Sequence, residues 1–303
     1  MAKSITNLAV SVHQRLLNKA RESSRPFNEL LQYFAIERFI YRLSKSPHAD
    51  QFILKGALMF SAWCGPASRP TMDIDLLGKI DNQLDTITTV MRNACLTDVE
   101  PDGIYFNAET VQAVRITEDA EYEGIRVRVH GSLGKARVSI QIDIGFGDVI
   151  VPNAGTVSYP VILDFPAPVL KGYTMESTIA EKFQAMVKLG VLNSRMKDFY
   201  DIWFLSRTFN FKGEILSEAI EKTFEKRNTP VNIEAALFDP LFGSDRDKNA
   251  QWRSFIRKAK LIGAPETFEA IVAAVKYFLE PIAAAIVEQR SFNSIWTAPG
   301  PWR

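Results

Sequence analysis

Met72-Asp73-Ile74-Asp75-Leu76-Leu77 is the stretch that decides how this chain is read. Apolar Ile74 and Leu76 alternate with Asp73 and Asp75, the period of a half-buried strand with one wet face. Carboxylates two positions apart on a strand point to the same side, so Asp73 and Asp75 can reach one divalent cation, or a closely spaced pair. Upstream, Phe52 to Leu54 reads as a short buried strand that turns at Gly56 and opens a helix from Ala57 to Trp63, ending near Gly65-Pro66. Backbone N–H groups and the dipole of such a helix start can hold a triphosphate. Lys55, Gly56, Ala57, Arg69 and Thr71, which frame the two carboxylates, form the expected nucleotide-binding set.

Outward from this stretch, Thr6 to Leu43 reads as two helices whose apolar stripes are separated at Pro26. A helix from about Asn82 to Cys95 precedes three strands, Ala113 to Thr117, Ile125 to Val129 and Ala136 to Gly145. In the last of these, Val138, Ile140 and Ile142 alternate with Ser139, Gln141 and Asp143, which makes Asp143 the expected third metal-binding carboxylate. Pro152 to Pro168 reads as a crossing segment, and everything beyond it as helical. Met175 to Leu189 carries Ile179, Phe183 and Met186 on one stripe, with Lys182 on its flank and Gly190 at its end. A further helix starts at Ser194 as N-cap, its aromatics turned inward and Asp198 and Asp201 together on the other face. The expected organisation is an α/β (α+β) domain over residues 1–168, a helical C-terminal domain over 169–290, and a mobile Pro/Gly-rich tail over 291–303.

Composition narrows the function. Length and hydrophobic content, 303 residues at 47%, allow a real core without staples. Cys64 and Cys95 form no Cys-x-x-Cys pair and read as reduced, small hydrophobes, while His13, His48 and His130 have no ligand spacing. Residues 1–18 lack the apolar centre of a signal peptide, and no stretch reads as a membrane span, so a cytoplasmic location without membrane contact is expected. A net charge of +1, from 36 basic and 35 acidic residues, excludes a global basic field for indiscriminate nucleic-acid binding. P-loop, Gly-x-Ser-x-Gly, His-Glu-x-x-His and Gly-x-Gly-x-x-Gly patterns are missing from the sequence, which argues against the enzymes that use them.

A second Asp-x-Asp pair, Asp245 and Asp247, stands in a polar loop without strand alternation and is set aside. Context distinguishes the first pair, and it extends over four blocks in order: Phe52-Ile53-Leu54-Lys55-Gly56-Ala57, Arg69-Pro70-Thr71-Met72-Asp73-Ile74-Asp75-Leu76, Glu181-Lys182-Phe183, and Arg195-Met196-Lys197-Asp198-Phe199-Tyr200-Asp201-Ile202. Through these blocks the chain resembles the AbiEii-type nucleotidyltransferase toxins of abortive-infection systems, within the polymerase-beta-like superfamily. The resemblance implies a mixed sheet flanked by helices, an NTP substrate with Mg2+, and transfer of a nucleotide to an RNA acceptor, the tRNA 3′ end in characterised relatives. It also implies a cognate antitoxin, often a winged-helix transcription regulator. Carried over by position, Asp73 and Asp75 hold metal, Lys182 contacts phosphate, and Asp198 is a second essential carboxylate acting as base or orienter. Ala57 departs from the glycine or serine usual after the first glycine, and Asp143 matches the wider superfamily better than the toxin family.

Plainer readings stand beside these. Asp198 can simply pair with Arg195 or Lys197, and Phe199, Tyr200 and Trp203 suit a core better than a base-stacking wall. Local basic segments suited to RNA are Arg126, Arg128 and His130 on one strand face, Lys135 and Arg137, and Trp252-Arg253 through Lys260. A small-molecule, antibiotic-modifying nucleotidyltransferase would share the metal site without the RNA path. A non-catalytic binding or regulatory protein would be indifferent to loss of Asp73.

Overall fold

Alternation of apolar and polar side chains builds the sheet of the first of two units. The computed structural model describes residues 7–65, 71–118, 122–239, 241–261 and 263–303. One unit comprises Met1–Gly147 and Gly155–Tyr173, the other Asp148–Ala154 and Thr174–Arg303. In the first, α1 (Leu8–Ser23) and α2 (Phe27–Lys45) lead into β1 (Phe52–Lys55), α3 (Leu58–Cys64), β2 (Asp73–Gly78) and α4 (Leu84–Leu96). Long strands β3 (Ile104–Glu118), β4 (Tyr122–Leu133) and β5 (Ala136–Phe146) follow, then short β6 (Gly155–Ser158) and β7 (Val169–Gly172).

These seven strands form one mixed sheet in the order β3-β4-β5-β2-β1-β7-β6. β2 runs antiparallel to β1 and parallel to β5, and β1 is parallel to β7. One face is dry: Leu54, Ile74, Leu76, Val127, Ile140 and Ile142 are fully buried. Ile36, Phe39 and Ile40 of α2 are buried as well, and Phe39 meets Phe106 edge-on at 5.5 Å between ring centres. The mixed α/β architecture, a sheet flanked by helices, is the one expected.

Several local expectations change. β3 begins nine residues before Ala113, because Ile104, Phe106 and Ala108 are buried while Tyr105 is exposed. Irregular pairing between Asn107 and Gln112, where the Thr110 hydroxyl donates to the Asn107 carbonyl, hides that period in the sequence. The supposed crossing segment contains β6 and leads directly into β7 after Pro168, each strand only four residues long. It is fastened to α2 by buried charge: the Glu37 carboxylate accepts from the Ile162 N–H at 2.7 Å, and Arg38 donates to the Pro166 carbonyl at 2.6 Å.

The second unit consists of α5 (Met175–Leu189), α6 (Met196–Thr208), β8 (Phe211–Lys212), α7 (Gly213–Lys226), α8 (Arg246–Lys258), α9 (Phe268–Val287) and β9 (Ile295–Trp296). Thr174 caps α5 by accepting from the Ser177 N–H, and Gly190 closes it at φ +51°. Arg195, not Ser194, is the N-cap of α6, and it makes no side-chain cap. The chain after 168 is not wholly helical, since β7 joins the sheet of the first unit and β8 pairs with β9. Nor is the tail loose. Trp296 is 2% exposed and donates to the Ser206 carbonyl at 2.6 Å, while Trp302 stacks on Phe278 and donates to its carbonyl at 2.9 Å. Burial of the Trp296 indole and the stacking of Trp302 on Phe278 outweigh the tail's Pro/Gly content. α9 is long and apolar enough to cross a membrane, contrary to the expectation that no stretch is. In this unit it supplies core: Phe268, Ile271, Val275, Phe278, Leu279 and Ile282 are fully buried.

Candidate active site

The register of the sheet sets the polar face around the two aspartates. Asp75 stands opposite Asp143 on β5 and opposite Lys55 on β1, and Asp143 stands opposite Arg126 on β4. One rung along, Asp73 faces Gln141, which faces Arg128. Asp73 is exposed and Asp75 half-buried. Asp143 is 9% exposed and accepts from Arg126 through both oxygens, Nε and Nη2 each donating at 2.8 Å. Such a bidentate pair fixes the carboxylate's plane. Gln141 adds a donor to Asp143 at 3.3 Å.

Gly56 adopts φ +68°, and a Cβ built on it would come 1.9 Å from Asp75 Oδ2. The Asp75 carboxylate therefore lies against bare backbone at the turn that leads into α3. α3 itself is seven residues long, with Ala57 at its N-cap position and 7% exposed. Lys55 Nζ lies 5.5 Å from the Tyr173 ring centre. Thr71 is half-buried, and its backbone bonds to Tyr33, whose pKa is raised, mainly by burial. Arg69 lies outside the described residues.

Do these groups suit a hard dication? The donor set fits: Asp73 and Asp75 offer carboxylate oxygens on one side of one strand, and Gly56 leaves room for the second. Asp143 is adjacent but committed to Arg126. Among the described residues no group of three or more His, Cys, Asp or Glu is arranged to hold a metal, so the fit rests on the aspartate pair.

In the second unit, Lys182 of α5 is clasped by two fully buried aspartates of α6. Its Nζ lies 2.7 Å from Asp198 Oδ1 and 2.8 Å from Asp201 Oδ2. Arg195 Nε lies 2.8 Å from Asp198 Oδ2, so the plain pairing with Arg195 occurs together with the lysine contact. Two cations thus balance two anions, which is what burial of charge requires. Asp198 and Asp201 share a face as expected, but that face is inward. Phe199 is core, against Phe242 and Phe268.

Sequence reasoning missed a neighbouring cluster, in which Arg227 reaches Asp148 at 3.0 Å and Glu181 at 3.3 Å. No local pattern announces partners so far apart in the chain. The other Asp-x-Asp pair proves to be a cap: Asp245 accepts from the Lys248 N–H and starts α8. Trp252, considered as a stacking residue beside basic α8, is fully buried and donates to the Pro265 carbonyl at 2.8 Å.

Comparison with known proteins gives four findings. The model of the family described as "Nucleotidyl transferase AbiEii toxin, Type IV TA system" matches residues 38–274. Among solved structures, a candidate nucleotidyltransferase from H. pylori is similar at 15% identity and TM-score 0.47, covering 88% of this chain and 99% of that one. JHP933 from Helicobacter pylori is similar at 12% identity and TM-score 0.46, covering 94% and 96%. No curated protein matches.

Proposed function

The chain belongs to the family of AbiEii nucleotidyl transferase toxins of type IV toxin–antitoxin systems, and from that membership we propose that it moves a nucleotide from an NTP to RNA, at the tRNA 3′ end, by chemistry centred on Asp73 and Asp75. The enzyme is a nucleotidyltransferase. The observation that carries the reading is the projection of Asp73 and Asp75 from one side of β2, with Asp75 lodged against Gly56.

Asp73 and Asp75 would hold Mg2+, which supplies charge neutralisation at the phosphates when bound. The acceptor hydroxyl oxygen forms a bond to the α-phosphorus, the bond to pyrophosphate breaks, and the hydroxyl proton leaves to solvent. Gly56 permits Asp75 its position, and the N–H groups of Gly56 and Ala57 with Lys55, Arg69 and Thr71 are the triphosphate contacts. Asp143, opposite Asp75 in register and held by Arg126, stands beside the pair as the third carboxylate of the polar face and not as a part of the metal-holding pair. Lys182 serves phosphate, and fully buried Asp198 orients it together with Asp201. We place the protein in the cytoplasm, partnered by an antitoxin of the winged-helix regulator class.

Incubation of the purified protein with each labelled NTP, Mg2+ and total RNA tests this reading. Label in tRNA from at least one NTP supports it. Label in no RNA sinks it and favours a small-molecule acceptor. Growth arrest on expression, relieved by Asp73→Ala, separates an enzyme from a binding module.

A further inference from the structure

On the β5 side of β2, away from Gly56, the first unit contains a cavity of about 640 Å³. Its walls include Asn28, Glu29 and Gln32 from the start of α2, Asp73, Arg128 and Gln141. The volume lies within the range of about 300–1,000 Å³ usual for small-ligand sites. Pro26 and Met72 add apolar surface beside these donors and acceptors, a mixed lining that suits a nucleotide's base together with its phosphate.

Two of its features bear on what it takes. The first is charge. Arg126 is occupied by Asp143, whereas Arg128 is exposed, and among the described residues no carboxylate pairs with it. Of the two acidic wall residues, Asp73 belongs to the aspartate pair of β2 and Glu29 is paired with Arg25 at 3.5 Å. The second is continuity. His130 faces Ser139 on the next rung, and Ser132 faces both Arg137 and Tyr105 on the one after. His130 and Arg137 are exposed, and Tyr105 is 62% exposed. Four rungs from Asp75 to Tyr105 span about 20 Å at the rise of a strand. They form a cationic path with an aromatic at its far end, the combination that binds single-stranded nucleic acid.

In-line displacement puts the attacking and leaving oxygens on opposite sides of phosphorus. With the triphosphate on the Gly56 side of β2, as the function above has it, the attacking hydroxyl enters from the β5 side. We propose that this cavity is the acceptor subsite: the terminal nucleotide of a single-stranded RNA 3′ end sits in it, a backbone phosphate rests on Arg128, and the strand continues over His130 and Arg137 toward Tyr105. The proposal rests on the transferase reading above and adds where its acceptor lies.

Arg128→Glu and the milder Arg128→Gln test it, both at an exposed position. Steady-state transfer of labelled nucleotide to total tRNA gives separate KM values for acceptor and NTP. The expected result is a rise in acceptor KM of about tenfold or more for Arg128→Glu, with the NTP KM unchanged within about twofold. Anisotropy of a labelled single-stranded RNA oligonucleotide provides a readout that needs no turnover. Arg128→Gln lowers the salt slope of binding by about one, and Tyr105→Ala weakens binding by about tenfold. A raised NTP KM with an unchanged acceptor KM overturns the proposal, as does an unchanged pair of KM values or an unchanged salt slope. Asp73→Ala that still transfers label refutes the underlying reading instead, so the two failures are distinct.

Discussion

Gly56 lacks a side chain where the Asp75 carboxylate needs the space: a Cβ there would stand 1.9 Å from Asp75 Oδ2 and 2.7 Å from Asp75 Cβ. The same residue has φ +68°, which disfavours an L side chain by roughly 1–2 kcal/mol. Gly56→Ala is therefore expected to displace Asp75. A shift of about 1 Å at a reacting centre can cost roughly a hundredfold in rate. Nucleotide transfer should fall by about that factor while thermal unfolding shows a folded protein. Transfer at the wild-type rate by a folded Gly56→Ala protein would show that Asp75 does not act from this position.

Lys182 separates two carboxylates that are fully buried. Lys182→Met leaves Asp198 with Arg195 and leaves Asp201 without its lysine partner. Breaking a buried ion pair from one side costs about 3–5 kcal/mol. Urea unfolding should show a loss of that order, and Asp198→Asn a smaller one, because Lys182 keeps Asp201. A stable but inactive Lys182→Met protein would confine the lysine to chemistry.

Glu37 is buried beside Arg38, and desolvation, the largest cause, raises its pKa from 4.5 to about 7. A carboxyl whose folded pKa is raised binds its proton more tightly in the native state. Its contribution is full below about pH 4.5 and is lost as pH rises through about 7. The wild type should therefore lose stability between those values relative to Glu37→Gln. Melting temperatures of the two proteins across that window provide the check, and parallel curves would contradict the assignment.

The last residues hold the second unit together. Trp296 is 2% exposed, and its backbone pairs with Phe211. Trp296→Ala should cost about 3–5 kcal/mol, measured by denaturant unfolding. Removal of residues 295–303 should make the second unit sensitive to limited proteolysis. Resistance equal to that of the full chain would restore the expectation of a mobile tail.

Legibility of this chain followed the length of its patterns. Val138-Ser139-Ile140-Gln141-Ile142-Asp143 announced β5 because strand period and burial agree over many residues. Met175–Leu189 was readable for the same reason in helical period. β6, β7, β8 and β9 were not, since two to four residues carry no period and pairing with distant partners makes them strands. Among the site residues, the common side of Asp73 and Asp75 follows from strand geometry alone. The grip of Arg126 on Asp143, and of Asp198 and Asp201 on Lys182, does not. These contacts depend on register between strands and on helix packing, and a lone sequence shows neither.

Calorimetric titration of the purified protein with each of the four NTPs, with and without Mg2+, probes the aspartate pair most directly. At least one nucleotide should bind with Mg2+ and lose that uptake in a folded Asp73→Asn/Asp75→Asn variant. Equal uptake by the variant, or uptake indifferent to the cation, would mean that these two carboxylates are not where nucleotide and metal meet.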